Sequence, residues 1–272
     1  MRTIGVDLAA GLPGTALAEM VWADGGARLT RLETGVDDAG IVASVSGEAV
    51  WLGIDCPLGW PDAFVDFVRA HHADAAPARG SVDGGADWRR PLVYRHTDHV
   101  VRERIGRWPL SVSTDRLGVT ALRCAGLLRR LAEDGFPVDR AAEGRLFEVY
   151  PGGSLRLWGF DTTGYRVDAA RRAALLDTLS ARAPWLDLGG FAPLAVANAD
   201  AFDAVVAALA TRAGALGAFA PPASEVLDVA RREGWVVRRR GRWRRWRRCS
   251  RGCPAFRRRR AGPANVRNER HR

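Results

Sequence analysis

Ile4-Gly5-Val6-Asp7-Leu8-Ala9 and Leu52-Gly53-Ile54-Asp55-Cys56-Pro57 decide how this chain is read. Each is a strand-like apolar run in which an aspartate follows a glycine and a β-branched residue. A carboxylate inside a buried strand costs several kcal/mol unless it is paired or holds a cation. Two such carboxylates in matching settings, with Asp200 and Asp203 on a later helical segment, point to an acidic metal site.

The sequence around the first motif reads as a hairpin meander. Residues 2–9 form a first strand, Gly11, Pro13 and Gly14 a turn, and 15–23 a second strand. Asp24-Gly25-Gly26 is a hairpin turn, and 28–34 alternate as a half-exposed third strand. Residues 37–46 suit a short helix, and 49–56, around the second motif, a more buried fourth strand. Pro61 suits the first position of a helix over 62–72. Residues 74–92 read as a loop, with helices at 96–106 and 116–134. Leu146-Phe147-Glu148-Val149-Tyr150 is a fifth strand, ended by Pro151-Gly152-Gly153. Helices follow over 168–182, 199–213 and 223–233. Three antiparallel strands followed by helix-connected, parallel ones predict an α/β fold. Its mixed five-stranded sheet is flanked by helices, with a helical insertion between strands 4 and 5. No GxGxxG follows the first strand, unlike a dinucleotide-binding fold.

Composition narrows the chemistry. The chain has 272 residues, 47% of them hydrophobic, enough for a sizeable core. No run long enough to cross a membrane occurs and the N-terminus enters a strand directly, so a cytoplasmic protein is expected. Every Lys/Arg position is arginine. The absence of lysine excludes a P-loop lysine, a Schiff-base or pyridoxal-phosphate lysine and a kinase strand lysine. Cys56 and Cys124 sit in apolar surroundings and resemble small core residues. Cys249 and Cys253 lack a second Cys/His pair at zinc-finger spacing.

The charge is uneven. Residues 238–272 hold 16 arginines and one glutamate, which outweighs the whole-chain net charge of +10 and leaves the body mildly acidic. The break follows Glu233-Gly234-Trp235-Val236-Val237. Three readings compete for the tail: a nucleic-acid-binding arm with Trp243, Trp246 and Phe256 for stacking, a polybasic membrane-surface segment, or the product of a frameshift in GC-rich DNA. The tail lacks apolar periodicity and reads as disordered. Residues 1–237 are taken as the folded domain.

Asp7 and Asp55 on adjacent strands would bring two carboxylates together, which favours a divalent cation between them. Asp200 and Asp203, three apart, share a helix face and would complete an oxygen cage suited to Mg²⁺ or Mn²⁺. Each acid has a bland alternative: Asp7 and Asp55 as turn formers, Asp200 as a helix N-cap, Asp203 on a solvated face. Glu148 faces either the same site or solvent. Arg95, Thr97, Asp98 and Arg102 form a second constellation. Arg95, Asp98 and Arg102 fall on one helix face, as a phosphate clamp or as a surface ion-pair ladder. His96 and His99 are either ligands or helix-surface residues.

These residues resemble the ribonuclease H-like superfamily, whose first and fourth strands lie side by side and carry acids where Asp7 and Asp55 stand. ADAFDAVVAAL (199–209) resembles the acidic C-terminal helix of Holliday-junction resolvases. More closely, the chain resembles the DUF429 family of predicted nucleases through GVDLA (5–9), GIDCPLGWP (53–61), RHTD with Arg102 (95–98), FEVYPGGS (147–154) and ADAFDAVVAAL, a resemblance spanning residues 1 to about 237. In that family EGW is followed by a short aliphatic or aromatic strand, from which the arginine run departs. The resemblance implies a divalent-metal-dependent nuclease or phosphodiesterase acting on nucleic acid. Its catalytic acids would be Asp7, Asp55, Glu148, Asp200 and Asp203, with the metal on Asp7, Asp55 and Asp203 and substrate on Arg95, Thr97, Asp98 and Arg102. Two other classes stay open. One is an actin or sugar-kinase-type phosphotransferase, against which GIDCPLGWP lacks a glycine-rich second phosphate loop. The other is a non-catalytic binding module, in which the acids would not converge.

Overall fold

The two glycine-led motifs become neighbouring parallel strands. The structure is a computed structural model that describes residues 1–73 and 87–238. Strands β1 (Arg2–Asp7), β2 (Ala16–Ala23) and β3 (Gly26–Thr34) form the antiparallel meander. The β2–β3 turn is the two-residue Asp24-Gly25, both with positive φ, the geometry that matches strand twist. Helix α1 (Asp38–Ser44), capped by the Asp37 carboxylate on the Gly40 amide, leads to β4 (Val50–Asp55), which pairs parallel with β1.

The insertion before the next strand holds α2 (Asp62–His72), α3 (Arg90–Val93), α4 (His96–Ile105) and α5 (Gly118–Glu133). Then come β5 (Leu146–Glu148), parallel to β4, and α6 (Pro151–Leu157). The chain continues through α7 (Ala169–Arg182), β6 (Leu186–Asp187), α8 (Ala192–Ala197), α9 (Ala199–Ala215) and α10 (Leu227–Glu233). The sheet is mixed, with order β5-β4-β1-β2-β3-β6.

Three expectations need correction. The sheet has six strands, not five: Leu186–Asp187 pairs with Ala27 and Arg28 at the edge, too short a strand to leave a period-2 signal. Pro151-Gly152-Gly153 does not merely end a strand; Pro151 opens α6, because its fixed φ and missing N–H suit a first helical turn. Helix α8 stands where no helix was expected. The loop expected over 74–92 falls largely outside the described residues, and its last part holds α3. The readings made for the tail over 238–272, including Cys249 and Cys253, fall outside the described residues except at Arg238, which is buried with its guanidinium over the Trp235 ring.

Side-chain alternation divides the core into two layers. Ile4, Val6, Leu52 and Ile54 point to one face, where they pack with Ile41 of α1 and Cys124, Leu127 and Leu131 of α5. The opposite face is covered by α9, whose residues from Ala201 to Ala213 are buried almost all round. A helix apolar on every side belongs inside a protein. It lies across β1, β2 and β4, flanked by α6 and α8.

Candidate active site

Gly5 and Asp7 point to the same sheet face because strand side chains repeat every second residue. The same holds for Gly53 and Asp55. Gly5 pairs with Gly53 and Asp7 with Asp55, so the two motifs are superposed across the β1–β4 ladder. The glycines serve α9. A Cβ at Gly5 would overlap the Ala208 nitrogen and the Ala204 carbonyl oxygen, and one at Gly53 would overlap the Thr211 hydroxyl. Bare backbone at both positions lets α9 press onto the strands, and its N-terminal end then arrives beside the two aspartates.

Asn198 is the N-cap of α9, accepting from the Ala201 amide at 2.8 Å. Asp200 is therefore not consumed as a cap, and sits in the first turn facing the strand ends. Asp203, one turn on, is buried. Its alternative reading as a residue of a solvated face does not hold. Asp7, Asp200 and Asp203 converge on one guanidinium, that of Arg166. Arg166 donates to Asp203 Oδ2, donates to Asp200 Oδ1 at 2.7 Å, and lies 3.6 Å from Asp7 Oδ2. Tyr165 donates its hydroxyl to Asp203 Oδ1 at 2.9 Å. Asp7 Oδ2 is buried and accepts no hydrogen bond.

These carboxylates hold their protons unusually well. Burial, then the charges of Asp55, Asp203 and Asp200, raise the Asp7 pKa well above the usual carboxylate range, with Arg166 opposing. Burial and then Asp203 raise Asp55 in the same way. Burial pushes Asp203 up to about 6, although Arg166 and the Tyr165 hydroxyl pull it down. The cluster is thus short of positive charge even with Arg166 in contact.

Among the described residues, no three Asp, Glu, His or Cys side chains are already gathered as a metal-holding group; here Arg166 stands among the acids. The donor set nevertheless suits a hard divalent cation. Its side-chain donors are carboxylate oxygens, Asp7 and Asp55 are cross-strand partners, and Asp7 Oδ2 accepts no hydrogen bond.

The second constellation is built differently from the clamp expected of it. Arg95 is 3% exposed, and all five of its N–H donors are engaged. Nε donates to Asp98 at 3.2 Å, Nη1 to Glu148 at 2.8 Å and to the Glu233 carbonyl at 3.0 Å, and Nη2 to Asp98 at 2.9 Å and Glu148 at 2.7 Å. No donor remains for a phosphate oxygen. Asp98 also closes the N-terminus of α4 by accepting from the Arg95 amide. Glu148 pairs with Ile54, and so leaves the sheet on the face opposite Asp55. Its oxygens are taken by Arg95 and by the Leu58 amide at 3.1 Å. Thr97 is buried and accepts from the Val236 amide at 3.0 Å. Arg102 is exposed, with its guanidinium 5.9 Å from the Trp108 ring centre. Glu148, Arg95, Thr97 and Asp98 thus form a packed strut rather than a reactive face. The histidines join ring contacts: His96 stacks on Trp235 and His99 meets Trp108 edge-on.

That strut also accounts for Glu233-Gly234-Trp235. The Glu233 carboxylate accepts from the Asp62 and His96 amides, at the starts of α2 and α4. Gly234 has φ +93° and passes so close to Glu148 that a Cβ would lie 2.6 Å from its Oε2. Val236 then bridges to Glu148, adding a short parallel contact beyond β5.

A cleft of about 670 Å³ opens over the carboxylates, lined among others by Asp7, Asp55, Asp200, Tyr150, Arg116 and Arg166. Sequence reasoning missed Tyr150, Tyr165, Arg116 and Arg166. Tyr150 lay within a quoted motif, but the other three sit in irregular segments whose destination no periodicity reveals.

A family model described as "Protein of unknown function (DUF429)" matches residues 5–226, most of the chain. The chain belongs to the DUF429 family. The matched span includes all four aspartates of the cluster as well as Arg166, and stops short of Glu233 and the arginine-rich segment. No curated protein matches the chain, and no solved structure matches it. Among the described residues, no helix is long and apolar enough to cross a membrane.

Proposed function

We propose that this DUF429 chain is a divalent-metal-dependent phosphodiesterase of ribonuclease H-like fold that cleaves nucleic acid. One observation carries the reading. Asp7 and Asp55 are cross-strand partners, and α9 delivers Asp203 to the guanidinium that also meets Asp7. This convergence favours a reactive site over a binding module that merely kept the fold. The sheet order β5-β4-β1-β2-β3, with its acids at the ends of β1 and β4, supports the fold assignment.

Asp7, Asp55 and Asp203 would hold Mg²⁺ or Mn²⁺, with Asp200 beside them. When bound, such a cation activates water and stabilises the leaving oxygen of a phosphodiester. The chain's own residues supply the rest. The glycine-tight α9 packing fixes Asp203 against the strands, and Tyr165 orients it through Oδ1. Arg116 and Arg166 line the cleft and offer positive charge to phosphate oxygens. The phosphotransferase alternative gains nothing from this geometry, since the segment after β4 turns directly into Pro57 and α2 with no glycine-rich phosphate loop.

The test is cleavage of labelled single- and double-stranded DNA, RNA and DNA–RNA hybrid by the purified chain, with Mg²⁺ or Mn²⁺ and with chelator. Metal-dependent cleavage lost in Asp7→Asn and Asp203→Asn is expected. Cleavage indifferent to both substitutions would remove the proposal.

A further inference from the structure

Arg166 occupies an unusual position for an arginine beside buried acids, because it comes from outside. Its side chain is 46% exposed, whereas those of Asp203 and Asp7 are 1% and 10% exposed. The guanidinium reaches down from an irregular segment between α6 and α7 and touches Asp7, Asp200 and Asp203 together. The backbone on either side is tied elsewhere. The Tyr165 carbonyl accepts from buried Arg172 at 2.6 Å, and Asp168 caps α7 through the Ala170 and Arg171 amides. Val167, the next residue, is 91% exposed at the rim of the same cleft. The Arg166 side chain can therefore leave by rotating its own torsions, without moving the main chain. Asp7 Oδ2, buried and without a hydrogen bond, faces the place it would vacate.

We propose that Arg166 is a built-in counter-ion that competes with the divalent cation for Asp7 and Asp203 and must swing into the cleft before the cation is held. The inference rests on the metal reading above and adds a residue that sets the strength of cation binding. Without a metal, three carboxylates at one spot repel one another, and a guanidinium in contact relieves that repulsion. With a metal, the same guanidinium is a like charge beside the incoming ion and raises the cost of its entry. The protein thus folds without metal at the expense of weak metal affinity.

Calorimetric titration of Mn²⁺ into chelator-treated protein tests this, comparing wild type with Arg166→Met and Arg166→Lys. Arg166→Met removes the charge at similar length and is expected to bind Mn²⁺ about tenfold tighter or more, given the Coulomb energy of one adjacent charge. Arg166→Lys retains the charge and is expected to stay near wild type. Metal-free Arg166→Met should also unfold at a lower temperature than wild type. Equal Mn²⁺ affinity in wild type and Arg166→Met overturns the proposal while leaving the metal reading standing. No Mn²⁺ binding by any of the three removes both. Wild-type protein provides a readout that does not depend on Arg166→Met folding. The Arg166 Nη–H resonance, whose donors hold Asp203 and Asp200 and which is assigned by its loss in Arg166→Lys, is expected to lose protection from solvent exchange when Mg²⁺ is added. An unchanged resonance at saturating Mg²⁺ counts against the proposal.

Discussion

Gly5 of β1 lies directly beneath Ala208 of α9, with no room for a single carbon between strand and helix. The contact is backbone against backbone, so neither side can yield by rotating a side chain. Gly5→Ala should therefore push α9 off the sheet and destabilise the fold by about 1–3 kcal/mol or more, the range for overpacking a filled core. Urea denaturation measures it. Because α9 carries Asp203, any folded Gly5→Ala protein should also bind Mn²⁺ more weakly than wild type. Wild-type stability in that variant would show that the close approach is not required.

Arg95 and Glu148 give the sharpest contrast between a packed strut and a substrate clamp. Both are buried and hydrogen-bonded to each other through two pairs of atoms. Removing Glu148 leaves Arg95 its pair with Asp98 but takes the acceptor from two guanidinium N–H groups and from the Leu58 amide, so Glu148→Ala should cost about 1–3 kcal/mol or more. Arg95→Lys should also destabilise, because an ammonium cannot replace five donors set in a plane. A clamp for phosphate would behave otherwise, with Arg95→Ala leaving the denaturation midpoint in place and lowering only substrate affinity.

The meander and the two parallel strands were legible because their signals are local: alternation in 28–34, a hairpin turn at Asp24-Gly25, and apolar runs ending in Asp7 and Asp55. The two-residue β6 was not, since its pairing with β3 is a tertiary event with no pattern of its own. Asp7, Asp55, Asp200 and Asp203 could be singled out because a charge among apolar residues is conspicuous. Their glycines were quoted in the motifs, but their purpose needs the position of α9. Arg95 misled for an opposite reason. An arginine, two acids and helical spacing look alike whether they face a ligand or seal a core, and only burial separates the two cases. Arg166 gave no signal because its partners lie more than thirty residues away along the chain.

Asp7→Asn separates what the carboxylate does for folding from what it does for a cation. In wild type without metal, Asp7 is buried beside three other acids and only Arg166 relieves it. Replacing it with a neutral isostere should raise metal-free stability at pH 8, where burial and the neighbouring carboxylates disfavour the ionised form of Asp7. The same variant should lose the thermal stabilisation that Mn²⁺ gives wild type. Thermal melts with chelator and with Mn²⁺ read both effects. A variant less stable than wild type in chelator would mean that the Asp7 charge is already well compensated.

The pH dependence of metal-free stability follows from the same carboxylates. Asp7, Asp55 and Asp203 all have folded-state pKa values above their ordinary ones, Asp203 at about 6. Below about pH 4, the ordinary aspartate value, both folded and unfolded chains are protonated at these positions and they contribute no slope. As pH rises further, the unfolded chain releases these protons while the folded one keeps them. The folded state then binds more protons, so stability falls with rising pH. The Asp203 contribution should be complete a little above pH 6, whereas Asp7 and Asp55 continue the decline. Melting temperatures in chelator should therefore drop between pH 5 and 8, and Asp7→Asn should flatten that drop. Saturating Mn²⁺ should flatten it too, because a cation binds the ionised form and offsets the repulsion that proton loss creates. A melting temperature that stays level across this range in chelator would show that Arg166 alone neutralises the cluster, and that the buried acids are ionised in the folded protein throughout.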